Sequence, residues 1–186
     1  MKLGFAVCGS FCNHAKVMKV YEELAERCEL IPIVSENAAK YDTRFGTAEQ
    51  LVERMESLAG RRAVRTLVEA EPLGPKRMMD VLLIAPCTGS TLAKLAAGIS
   101  DGVVTLAAKS HLRNGGSVVI APATNDGLTA SAGNIAALLN RKNYYFVPFG
   151  QDDPEAKPAS LVADFTRIAE TVDAAAEGRQ IQPILI

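Results

Sequence analysis

The residues of this chain that can do chemistry gather where short apolar runs break off. Lys2 to Val7 stops at Cys8-Gly9-Ser10-Phe11, Glu29 to Val34 stops at Ser35, Asp80 to Ala85 stops at Pro86-Cys87-Thr88-Gly89-Ser90-Thr91, and Ser117 to Ala121 stops at Pro122-Ala123-Thr124-Asn125-Asp126. These are hydroxyl, amide and glycine residues, groups that donate hydrogen bonds to an anion or cap a helix. A glycine turn opening a helix also offers free N–H groups and the positive end of the helix dipole. Neither Gly-x-Gly-x-x-Gly nor Gly-x4-Gly-Lys-Ser/Thr is present, so a single phosphate is a more natural guest than a dinucleotide or a triphosphate. Taken alone, Gly9, Ser10 and Ser35 read more simply as ordinary turn chemistry, and Thr88, Ser90 and Thr91 as helix capping.

Other reactive types find no companions. Cys87 has no His or Asp near it in sequence to activate it, and Cys8 with Cys12 lacks a second pair at zinc spacing. Cys8, Cys12, Cys28 and Cys87 are spread without the dense spacing of a secreted scaffold and read as reduced thiols. His14 opens a helix, where a local hydrogen bond is the simpler role, and Asp101 reads as the cap of the following helix.

The elements that must position these loops follow from periodicity. The runs are short, β-branched and uninterrupted, as in strands buried on both faces of a parallel sheet. Between the first two lies an apolar stripe at Val17, Val20, Tyr21, Leu24, Ala25 and Cys28, giving a βαβ unit with a right-handed crossover. Thr47 with Gln50 marks a capping box before Leu51, Met55 and Leu58. Arg61 to Val68 reads as a short exposed strand, and Glu71-Pro72-Leu73-Gly74-Pro75-Lys76 as an irregular, functional loop. Small-residue helices precede Ser100 and end at Leu112, Asn134 to Asn140 is helical, and Tyr144 to Val147 is the last strand. Residues 160–178 form a closing helix capped by Gly178, and the apolar tail 179–186 packs on the domain. The expected architecture is one domain, 1–186: a three-layer, doubly wound parallel sheet with ligands at its carboxyl edge.

Bulk composition narrows the function. With 186 residues, 48% of them hydrophobic, and a formal net charge of −1, the chain can bury one good core but has no general field for nucleic acid or anionic membrane. No stretch reaches the roughly 20 apolar residues of a membrane span. A cytoplasmic location is expected.

Taken together, the segments resemble the FMN-binding flavoproteins that include phosphopantothenoylcysteine decarboxylases, lantibiotic-processing decarboxylases and flavin prenyltransferases. Pro86 to Asp101 is similar to the family's flavin-wrapping stretch, and Pro122-Ala123-Thr124-Asn125 to its Pro-x-Met-Asn loop, with Thr124 in the methionine's place. The resemblance implies a flavodoxin-like or Rossmann-like fold. It implies FMN held by Gly9, Ser10, Phe11, Ser35, Pro86, Cys87, Thr88, Gly89, Ser90, Thr91, Ala123, Thr124 and Asn125.

Asp42-Thr43-Arg44-Phe45-Gly46, Glu71 to Lys76, His111 to Asn114, Thr124-Asn125-Asp126, and Tyr144 to Phe149 with Gln151 to Pro154 resemble an oxidoreductase branch of the family. That branch implies a partner A subunit with NADP and a homo-oligomer, trimer or larger. It also implies oxidation of a dihydrodipicolinate-type ring to dipicolinate in the mother cell of a spore-forming bacterium. A small dicarboxylate needs cations placed for it, and Arg44, Lys76 and Arg113, with the amide of Asn125, are the expected set. The decarboxylases resembled here use a histidine after the third strand, whereas this chain has only His14 and His111. A decarboxylase, a prenyltransferase and a non-catalytic assembly subunit remain the alternatives.

Overall fold

The computed structural model describes every residue from Met1 to Ile186. Strands β1 (Lys2–Val7), β2 (Glu29–Val34), β3 (Val81–Cys87), β4 (Ser117–Thr124) and β5 (Tyr144–Phe146) are all parallel, in spatial order β2-β1-β3-β4-β5. β1 and β3 are central, and Leu3, Phe5, Leu82, Leu83 and Ile84 are wholly buried. That is why these strands read as continuous apolar runs and not as alternating ones.

Helices cover both faces. α1 (His14–Ala25), α2 (Ala48–Ala59) and α7 (Ile168–Ala176) lie on one side, with the Tyr21 hydroxyl donating to the Met55 carbonyl at 3.0 Å between α1 and α2. α4 (Gly89–Ala97), α5 (Val103–Leu112) and α6 (Ala132–Leu139) lie on the other. The Thr47–Gln50 capping box forms at α2, with Gly60 ending the helix at φ +63°.

Five expectations are corrected. Arg61 to Val68 is not a strand: Val64 makes one isolated bridge to Ile33, and Thr66 with Glu69 makes a second capping box that starts the short helix α3 (Leu67–Ala70). Glu71 to Lys76 is a packing element, not an open loop. Its Gly74 lies so close to α5 that a Cβ would meet the Ser110 carbonyl oxygen at 2.1 Å, and the Asn114 amide donates to the Gly74 carbonyl at 2.8 Å.

Asp101 does not cap α5. It pairs with Lys94 at 2.8 Å, while Glu36, just beyond β2, accepts from the Val103 N–H at 2.8 Å. Finally, residues 160–178 are not one helix, nor is β5 the last strand. β6 (Phe149–Gly150) and β7 (Leu161–Ala163) follow, with β7 antiparallel to Ala123 and Thr124 at the end of β4. β5 occupies the first part of that edge and diverges after Phe146, so β7 satisfies the backbone groups it leaves.

The tail docks through its backbone, since Phe149 donates to the Ile184 carbonyl at 2.9 Å and Ile186 donates to the Phe149 carbonyl at 3.2 Å. The Leu185 and Ile186 side chains stay exposed. No helix is long and apolar enough to cross a membrane.

Candidate functional site at the carboxyl edge of the sheet

Parallel strands bring all their carboxyl ends to one edge, and here the loops after β1, β2, β3 and β4 line two adjoining cavities. The larger, about 630 Å³, is lined among others by Gly9, Ser10, Phe11, Thr88, Gly89 and Ser90 and, across from them, by Ala123, Thr124, Asn125 and Asp126. The second, about 490 Å³, is lined by Ser35, Glu36, Asn37, Thr91 and Lys94 among others. Both include Gly9, Thr88 and Ser90, so they form one groove across the ends of β2, β1, β3 and β4. Each lies within the roughly 300–1,000 Å³ typical of small-molecule sites.

The donors suit an anion. The N–H groups of Gly9 and Ser10 make no bond within the backbone. Those of Gly89 and Ser90 lie in the first turn of α4, where no intrahelical acceptor exists. Ser10 is oriented by buried Asn13, whose side-chain amide donates to the Ser10 hydroxyl at 3.0 Å. Gly9 is not demanded by its own chain, because an added Cβ would make only ordinary 3.6 Å contacts with Asn37 and Phe11. The space above it is free for a ligand.

Thr88 caps α4, its hydroxyl accepting from the Thr91 N–H at 3.3 Å and lying 3.0 Å from the Thr91 hydroxyl. Thr91 in turn donates to the Cys8 sulfur at 3.4 Å. Cys8 is buried, and that burial pushes its thiol up to about 11, far from a reactive thiolate.

Asp126 organises the opposite wall. Its carboxylate accepts from the Thr124 hydroxyl at 2.5 Å and from the Ser131 hydroxyl at 2.8 Å. Those two bonds, Thr124's first, hold it below the usual carboxylate range. Gly89 is required here, since a Cβ would lie within 2.8 Å of Asp126 Oδ1, Thr124 Oγ1 and Ser131 Oγ.

The residues expected from sequence divide. Gly9, Ser10, Phe11, Thr88, Gly89, Ser90, Ala123, Thr124 and Asn125 line the larger cavity, and Ser35 and Thr91 the smaller. Pro86 and Cys87 do not line either. Both are buried in the sheet behind it, where the Pro86 carbonyl accepts from the Cys8 N–H at 3.3 Å.

Arg44 is at the rim, exposed and stacked 4.8 Å over Phe45, which does line the cavity. Lys76 and Arg113 do not belong to the site. α5 begins beside Glu36 at the carboxyl edge and ends at His111, packed against Gly116 at the start of β4, so both residues lie at the opposite edge. Neither histidine lines these two cavities: His14 bonds the Cys8 carbonyl at 2.8 Å and lines a smaller cavity of about 180 Å³ that adjoins the larger one at Phe11 and Phe45, and His111 is buried at the amino edge.

Asn13, Glu36, Asp126 and Ser131 were not expected from sequence, nor were Asp152, Lys157 and Ser160 from the β6–β7 connection. Asp126 stands within the Thr124-Asn125-Asp126 segment, and its place beside Asn125 was signal enough to give it a part in the site. Residues 152–160 carry no pattern that foretells their return to Thr124.

The profile of the family described as Flavoprotein matches residues 1–175. The chain belongs to the flavoprotein family. The B subunit of dipicolinate synthase from Bacillus subtilis (strain 168) is 41% identical over 186 residues, all of this chain and 93% of that protein. The crystal structure of the dipicolinate synthase B subunit from Bacillus halodurans C superposes with a TM-score of 0.91 at 40% identity, covering 100% of this chain and 95% of that one. The FMN-dependent cysteine decarboxylase SpaF shares the flavoprotein fold, with a TM-score of 0.71 at 24% identity over 95% of this chain and 97% of that one. In flavoprotein terms, the groove lies where four strand ends and the starts of α1, α4 and α5 meet on the doubly wound sheet.

Proposed function

We propose that this chain is the flavin-binding B subunit of a dipicolinate synthase. It holds FMN along the groove and, with an A subunit carrying NADP, oxidises a dihydrodipicolinate-type ring to dipicolinate. The observation that carries the reading is the convergence of Gly9, Ser10, Ser35, Thr88, Ser90 and Asn125 on one continuous groove, in a chain 41% identical to a protein of that name.

The free N–H groups of Gly9 and Ser10, with the hydroxyls of Ser10 and Ser35, form the phosphate end. The walls from Thr88 to Ser90 and from Ala123 to Asn125 flank the flat ring. A flavin held there would supply the two-electron chemistry needed to aromatise a dihydro ring. The chain's own part is to orient the dihydro ring against Asn125, on the exposed wall of the larger cavity. Arg44, stacked on Phe45, adds positive charge at the entrance. The one histidine after β3, His111, is buried at the amino edge away from the groove, which favours the oxidoreductase over the decarboxylase reading. Exposed Leu185 and Ile186 at the β6 edge support self-association into a homo-oligomer.

Two measurements test this. The purified chain reconstituted with FMN is expected to show a bound-flavin spectrum. Dipicolinate formation by A alone, compared with A plus this chain, decides its catalytic part: full activity by A alone refutes it.

A further inference from the structure

The groove holds one cation that none of the family motifs contains. Of the residues lining the larger cavity only Lys157 is positively charged, and Asp126 and Asp152 are its acids. We infer that Lys157 is the anchor for a substrate carboxylate and the residue that makes the site prefer dicarboxylates; this rests on the flavin and dipicolinate reading above.

Lys157 is delivered by structure and not by a loose surface tail. Its N–H donates to the Asp153 carbonyl at 2.8 Å, and its carbonyl accepts from the Ser160 N–H at 2.9 Å. The Gln151 side chain ties the same loop to the Pro158 carbonyl at 2.8 Å, and the Ala159 carbonyl accepts from Leu128 at 3.0 Å. β7, which follows at once, is hydrogen-bonded to Thr124, and the Ser160 hydroxyl donates to the Thr124 carbonyl at 3.3 Å. The lysine backbone is thereby fixed beside the wall that carries Asn125.

Its ammonium sits 3.2 Å from Asp152 Oδ2. An ion pair this exposed adds little to stability. The pair instead orients the ammonium, which has three donor hydrogens and gives Asp152 one. The carboxylate of Asp126 is already engaged by two hydroxyls. Lys157 is therefore the one charged donor lining the larger cavity, and without it the lining would present two acids to an incoming dianion and no cation but Arg44 at the rim.

The test uses the full chain loaded with FMN, titrated with dipicolinate and with pyridine-2-carboxylate while flavin absorbance is followed. Wild type is expected to bind the dicarboxylate more tightly than the monocarboxylate. Lys157→Met should weaken dipicolinate roughly ten- to a hundredfold, the loss of one charge-assisted hydrogen bond, and erase the preference. Lys157→Arg should restore part of it, and FMN affinity and Tm should be unchanged in both variants. FMN uptake by Lys157→Met with wild-type dipicolinate affinity, or no binding of dipicolinate by loaded wild type, overturns this inference alone. Failure of wild type to take up FMN overturns the flavin reading and this inference with it.

Discussion

Replacing Asp126 probes the wall of the groove most directly. Asp126→Ala removes the acceptor of two hydroxyl bonds, and one donor, Ser131, is only 2% exposed. Stranding a buried hydroxyl costs roughly 1–3 kcal/mol, and the half-buried Thr124 bond adds about 1 kcal/mol. The lost carboxylate at the start of α4 contributes a further ~0.5 kcal/mol. In a domain of this size 1 kcal/mol moves Tm by roughly 2–4 °C, so Asp126→Ala should melt on the order of 5–15 °C lower. Asp126→Asn keeps an acceptor oxygen and should fall by only about 2–4 °C.

The pH dependence has a fixed sign. Because the folded carboxyl is held below its unfolded value of about 3.9, its contribution is complete above that value and is lost as pH falls through the folded one. The gap between wild type and Asp126→Asn should therefore stay constant from about pH 5 to pH 8 and close only below about pH 4. Reversible melts followed by circular dichroism provide the assay. An alanine variant within about 1 °C of wild type, or a gap that closes between about pH 5 and pH 7, would refute the reasoning.

Three further outcomes are expected. Asn13→Ala releases the Ser10 hydroxyl, so FMN affinity by fluorescence quenching should drop about two- to tenfold while the fold is retained; unchanged affinity would separate Ser10 from the phosphate. Glu36→Ala removes the cap that β2 lends to α5 and should cost about 1 kcal/mol in urea unfolding, whereas Asp101→Ala should be close to neutral. Burial lowers both His14 and His111, so the unfolded chain binds more protons than the native one as pH falls through about 6.5. The urea midpoint should decline from about pH 7 to pH 5, and a flat profile there would contradict the burial of the two rings.

The chain's alternation of apolar runs and amphipathic stripes determined by itself that a doubly wound parallel sheet forms and that the loops after β1, β2, β3 and β4 share an edge. A strand buried on both faces must be continuously apolar, and parallel strands all point their ends the same way. Periodicity, however, says nothing about which end of the sheet a helix residue reaches. α5 spans 10 residues, about 15 Å of rise, so its start lies beside Glu36 in the groove while Arg113, and the Glu71 to Lys76 segment that Asn114 ties to α5 through Gly74, lie at the far edge. Only tertiary structure decided that, and only it brought Lys157 and Asp152 to Thr124, through an antiparallel strand of three residues. So short a segment is held by the edge β4 offers it and has too little pattern of its own to be read in advance.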